Sequence, residues 1–306
     1  MTTTSSAPGA EPRLALTAGI ASYLIWGFVP LVFQAIGRLG VRPFEILAHR
    51  TIWSVPTALA FVLIAGQGAQ AAGVFRRSKV LGWLALSAAL IATNWSVYIW
   101  AVNSGRVLEA SLGYYINPLV NMAAGALLFR ERIDRVGQAA IGLAVVGVII
   151  QALALGHLPL VSLTLALSFG GYGVVRKQVA ADAQTGLFIE CLLLAVPGVA
   201  YVFWLEQHGA GHFRGGWAPL LWLLASGPIT AVPLVLFAWA ARRMPLSAMG
   251  FLQFMAPTIA FFIGLAQGEA FTPARAISFV FIWGGAIVFL YGAWRRTRAL
   301  PRTAAA

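Results

Sequence analysis

The chain has 306 residues, 60% of them hydrophobic and only 10% charged, with a formal net charge of +12 and a mean hydropathy of +0.82. Apolar runs of about 20 residues recur along its whole length, each long enough to cross a hydrocarbon core about 30 Å thick, and almost nothing is left for a soluble domain. The basic residues sit in short clusters between these runs, which excludes a nucleic-acid-binding face, and a single cysteine, Cys191, excludes an internal disulfide or a thiolate metal site.

The opening MTTTSSAPGAEPR lacks the basic start of a signal peptide, so residues 1–13 are expected to form a short disordered tail before an uncleaved first helix. Spans are expected over 14–36, 44–65, 80–103, 107–129, 135–154, 158–178, 185–205, 217–240, 247–267 and 274–294, with a second tail over 296–306. In the first span Trp26, Pro30 and Gln34 form one stripe. The second begins with EILAHRTIWS, where Glu45, His49, Trp53 and Pro56 share a face and Arg50 stands about 100° to its side. Asn94 and Tyr98 share a face of the third span, and Tyr114, Asn117 and Asn121 recur along the fourth beside Pro118. Tyr172 in SFGGYG adds a polar ring to the sixth, and Glu190 in GLFIECLLLAVP lies inside the seventh.

Lysine and arginine give this all-α membrane protein its orientation. With the N-terminus inside, the inner side holds 15 of the 21 basic residues and the outer side only Arg38, Arg42, Arg106, Arg214 and Arg275, with Arg50 within a span. That bias puts both termini in the cytoplasm. An internal repeat is also visible. NWSVYIWAVNSGRVLEASLGYYINP (94–118) aligns without gaps on PLVLFAWAARRMPLSAMGFLQFMAP (233–257), an offset of 139, while Pro56 falls on Pro197 and Gly147 on Gly285 at offsets of 141 and 138. The repeats, 14–155 and 156–295, hold five spans each, so the second enters the membrane upside down, the inverted architecture of transporters with a midplane site.

Charges within a span are costly in lipid and are expected to face a bundle interior or aqueous cavity, and to be paired. In the repeat alignment His49 falls on Glu190, each about 8 Å from its own membrane edge, on opposite sides of the midplane. His49, Glu190, Arg50 and Glu45 are therefore the candidates for gating or proton coupling, with Arg50 also available to an anionic group. The alternative for Glu45 and Arg50 is interfacial, with Arg50 reaching the headgroups; for His49 it is a hydrogen-bonded place in the core. Trp26, Gln34, Asn94, Tyr98, Tyr114, Asn117, Asn121 and Tyr172 are candidates for a cavity holding a mid-sized, partly apolar solute. The alternative for these residues is adhesion between helices. No phosphate-binding loop, H-E-x-x-H or G-x-S-x-G motif occurs, and Glu206, His208 and His212 in EQHGAGHF make a poor zinc site because glycines interrupt any helix between them. No cofactor and no metal are expected, and the partners are a small-molecule substrate and the lipid bilayer.

EILAHRTIWS, NWSVYIWAVNSGRVLEASLGYYINPLVN, LLFRERI and SFGGYGVVRK followed by AQTGLFIE resemble the RarD-type members of the EamA family, in the drug/metabolite transporter superfamily. The resemblance runs from about residue 15 to 295 and implies ten helices in two inverted EamA repeats, a bacterial inner-membrane location and secondary transport. RarD proteins carry a chloramphenicol-sensitivity label, and superfamily relatives export metabolites or exchange nucleotide sugars and sugar phosphates. No functional residues are carried over from the family. The expected activity is export of a small metabolite or amphiphilic drug by alternating access, coupled to protons or run as solute exchange. A non-transporting sensor and an intramembrane enzyme are the rivals.

Overall fold

A computed structural model describes residues 10–129, 134–155, 158–241 and 252–299. Among them the secondary structure is helical: α1 (Ala10–Arg38), α2 (Pro43–Ile64), α3 (Gly68–Val74), α4 (Ser78–Asn103), α5 (Val107–Phe129), α6 (Arg135–Leu155), α7 (Leu160–Gln178), α8 (Ala183–Gln207), α9 (Trp217–Ala241), α10 (Met255–Ala266) and α11 (Pro273–Ala299). Each expected span falls on a helix, the ninth in part because residues 247–251 lie outside the described ones, as do most of both tails. Among the described residues six helices are long and apolar enough to cross a membrane, in α1, α2, α4, α6, α8 and α9, and shorter apolar helices lie within α7, α10 and α11. This is an all-helical membrane protein.

The unexpected element is α3, one short stretch of small residues without a period long enough to read, with Ala71 and Val74 buried. Local chemistry ends the longer helices. After α1 the chain reverses at Gly40, whose φ of 88° suits a residue without a Cβ, and its amide donates to the Gly37 carbonyl. Pro43 then starts α2, with Glu45 in its first turn.

The principal contacts join early helices to late ones: α1 packs on α9 and α10, α2 on α8 and α9, α4 on α7 and α8, α5 on α7 and α10, and α6 on α11. Exchanging α1, α2, α4, α5 and α6, in order, for α7, α8, α9, α10 and α11 carries this set of contacts onto itself. At the centre, α2 lies against bare backbone on two sides. A Cβ on Gly227 of α9 would sit 2.2 Å from the Trp53 backbone carbon, and one on Gly198 of α8 would meet Thr51 Oγ1 at 3.2 Å. Glycine lets helices approach this closely in a medium where tight packing, not water exclusion, holds them together.

Candidate functional site

The far end of the bundle, where α1 stops and α2 starts, is closed by polar contacts to loops. Glu45 is buried and accepts the His212 amide at 2.6 Å and His212 Nδ1 at 2.8 Å. One turn on, the buried His49 ring stacks on Phe213 at 4.8 Å, and its Nδ1 accepts from Trp53 Nε1 at 3.3 Å. His49, Trp53 and Phe213 thus form an aromatic plug under the loop that His212 fastens. Gln34 exchanges hydrogen bonds with Gln267 at 2.8 and 2.6 Å and donates to the Val102 carbonyl, tying α1 to the end of α10. Glu269, beyond α10, accepts the Val107 and Leu108 amides at 2.5 and 3.0 Å. Two of the four free N–H groups at the start of α5 are satisfied in this way. Burial pushes the Glu269 carboxyl up, and those two amides and Arg275 oppose the shift.

The opposite end, where α1 starts and α11 ends, is closed around the start of α8. Gln67, after α2, accepts the Thr185 amide at 3.2 Å and its hydroxyl at 3.0 Å, and donates to Gln184 at 3.1 Å. Deeper in, Glu190 is buried and takes hydrogen bonds from Ser87 of α4 and, at 3.2 Å, from Tyr172 of α7. Arg176 Nη1 lies 3.6 Å from its Oε1, an ion pair just beyond hydrogen-bond reach. The guanidinium rests on Gly186, where a Cβ would fall 1.7 Å from Nη1, so α8 supplies both the acid and the gap for its partner one turn earlier.

Between the two ends lies Arg50, 7% exposed. Its Nε donates to Thr230 Oγ1 at 2.7 Å, and its guanidinium carbon lies 4.0 Å from the Trp95 ring centroid and 5.2 Å from that of Phe33. Nη1 is buried without a hydrogen-bond partner among the described residues, and none of the ion pairs among them includes Arg50. Aromatic faces give a desolvated cation about 2 kcal/mol each, and one charge-assisted hydrogen bond about 1.5 to 3 kcal/mol. Withdrawing an ion from water costs several kcal/mol and leaves the bare Nη1 unsatisfied. A row of rings leads away from it: Phe33, Tyr98, Tyr114, Phe169 and Tyr172, with neighbouring centroids 5.5 to 6.3 Å apart. The row ends on Glu190.

Tyr98, Tyr114 and Tyr172 stand in this row, and Asn94 holds it: its amide donates to the Leu165 carbonyl at 2.9 Å and Ser168 Oγ at 3.1 Å, and its Oδ1 accepts from Tyr114. Trp26 packs against Tyr23 and Phe237 and borders the core cluster that holds Phe33 and Tyr98. Asn117 is buried with Oδ1 unpartnered among the described residues, and the Asn121 side chain lies outside them. His49 and Glu190 occupy separate ends of the α2 and α8 pair. Sequence reasoning missed Arg176, Ser87, Trp95, Phe33 and Thr230. Arg176 had a signal, since it follows Tyr172 by one turn of α7; Ser87 had none.

Residues 13–153 match the EamA-like transporter family. Protein RarD of Streptomyces exfoliatus is 39% identical over 290 residues, covering 94% of this chain and 91% of its own. Protein RarD of Escherichia coli (strain K12) is 38% identical over 287 residues, covering 92% and 96%. One solved crystal structure shares the fold with a TM-score of 0.56 at 20% identity, covering 92% of this chain and 98% of that one. The matches to the RarD proteins run across nearly the whole helical bundle that encloses Arg50 and Glu190: the chain belongs to the EamA-like transporter family, within the drug/metabolite transporter superfamily, with RarD proteins as full-length relatives.

Proposed function

We propose that the protein is a secondary transporter of the bacterial inner membrane that exports a small metabolite or amphiphilic drug by alternating access. In this reading the chain crosses the membrane ten times, as inverted repeats over 14–155 and 156–295, with both termini in the cytoplasm. The far end, closed by Glu45 and His212, then faces outward, and the end closed by Glu190 and Arg176 faces the cytoplasm. The arginine distribution supports this orientation, and the family membership supports transport over catalysis.

The observation that carries the reading is the exchange of early for late helices that leaves the packing unchanged. A bundle built so can rock one set of helices against the other about α2 and α8, opening either end while the other stays shut. Glu190 is the coupling group: a proton on its carboxylate weakens the attraction to Arg176 and loosens the cytoplasmic closure.

The test uses purified full-length protein in liposomes with an imposed pH gradient and an internal proton-sensitive dye, challenged with amino acids, sugar phosphates and chloramphenicol. Solute-dependent proton movement is expected, reduced at least about tenfold in Glu190→Gln, the size of effect expected from losing one charged contact. Unchanged pH-dependent flux in that variant overturns the coupling role. Accelerated uptake of a labelled solute by its preloaded copy, without proton movement, makes the protein an exchanger and confines Glu190 to gating. Binding without flux makes it a sensor.

A further inference from the structure

We infer that Arg50 is an anion-binding group, and that the solute carries one oxyanion, a carboxylate or a phosphate monoester, on a flat apolar body. The inference rests on the transporter reading and deepens it by naming the substrate class. Three observations carry it. The guanidinium is buried with Nη1 unpartnered among the described residues, so the two N–H groups of that nitrogen remain for an incoming acceptor. Thr230 fixes Nε, and Trp95 and Phe33 flank the cation, which holds the plane of the fork in place before anything binds. The rings of Tyr98, Tyr114, Phe169 and Tyr172 continue from Phe33 toward Glu190, a row of faces and edges suited to a flat aromatic body.

The position is also singular. At the repeat offset of 141, Arg50 falls on Cys191 in the second half, so the cation has no basic counterpart there. Arg50 contacts α1, α4 and α9 from α2. Those contacts would be shared out differently as the bundle rocks, and an anion held by Arg50 would be carried between the two closures without crossing lipid.

The experiment compares 3-phenylpropionate, 3-phenylpropyl phosphate and the uncharged 3-phenylpropionamide, read by equilibrium binding and thermal shift on the full-length protein in detergent. Wild type should bind at least one of the two anions about 10- to 100-fold more tightly than the amide, the range for one hydrogen bond to a charged group. The carboxylate and phosphate arms decide which oxyanion fits. Arg50→Gln should erase the preference, Arg50→Lys should keep part of it, and Thr230→Val, which leaves the charge in place, should weaken it several-fold. Equal affinity for anion and amide overturns the inference, as does an anion preference that survives in Arg50→Gln. If Arg50→Gln does not fold, an anion preference unaltered in both Arg50→Lys and Thr230→Val overturns it equally. Flux of an uncharged solute that Arg50→Gln leaves intact keeps the transporter and removes the anion site. Arg50-dependent anion binding without flux of any solute keeps the site and removes the transporter.

Discussion

The two ends of the α2 and α8 pair are fastened with different chemistry. At the far end a carboxylate on the first turn of α2 grips a loop through His212, and the deeper layer is aromatic, His49 on Phe213 and Trp53. At the opposite end the first turn of α8 is gripped by an uncharged amide, Gln67, and the deeper layer is ionic, Glu190 with Arg176. The acid stands in the first turn of α2 on one side and two turns into α8 on the other. Both acids are buried, but the His212 ring is 31% exposed and the Arg176 side chain 15%, so water can replace the partner more readily at the Glu45 end. On the transport reading proposed above, the Glu190 end would be a closure that waits for a chemical event, and the Glu45 end one that a loop movement opens.

The sharpest way to break this contrast is to orphan the deep acid. Arg176→Met should destabilise the protein in detergent by about 3 kcal/mol, because a buried carboxylate loses its compensating charge. Adding Glu190→Gln should restore part of that loss. Additive losses in the double variant, followed by thermal unfolding, would show the two groups to be independent.

The shallow clamp should matter less. Glu45→Gln keeps an acceptor for the His212 amide and loses the charge facing Nδ1, an expected cost of about 1 to 2 kcal/mol. It should also raise protease access to residues 208–216 while leaving the Glu190 end unaltered, as read by limited proteolysis. A loss as large as that of Arg176→Met would erase the distinction between the ends.

The smallest effect tests Glu269, outside the helices at the far end. Burial raises its folded pKa above the ordinary 4.5, so its contribution to stability is full below that value and is lost as pH rises through the raised one. Glu269→Gln does not titrate, so the variant should gain on wild type as pH rises from about 4.5 toward neutrality, by less than about 0.5 kcal/mol for this half-exposed group. The same difference at every pH in a thermal-shift series would contradict the sign.

The helices were legible because each apolar run is long and bounded by charge or glycine, as at Gly40 before Pro43. The short α3 was not, since seven small residues show no period. For the site, the costly residues announced themselves: an acid, an imidazole and a guanidinium in an apolar span need a reason wherever they point. Their partners did not. Ser87 is an ordinary serine until α4 meets α8, and Arg176 read as one more basic residue at a helix end, where topology alone explains it. His212 stood out only as a poor zinc ligand, and its tie to Glu45 spans 167 positions of sequence. Contacts between distant helices are set by tertiary packing, which local pattern does not encode.

The interleaved packing also bears on how the protein is made. Helices over residues 10–155 find their main neighbours among residues 158–299, and α1 rests chiefly on α9 and α10. A chain inserted from its N-terminus must hold α1 to α6 with their inner faces uncovered until the second set arrives. Glu45, His49 and Arg50 would wait there without His212, Phe213 and Thr230. A ribosome pause or a truncation after residue 155 would leave an assembly intermediate with a charged, unpaired seam, a natural substrate for membrane quality control.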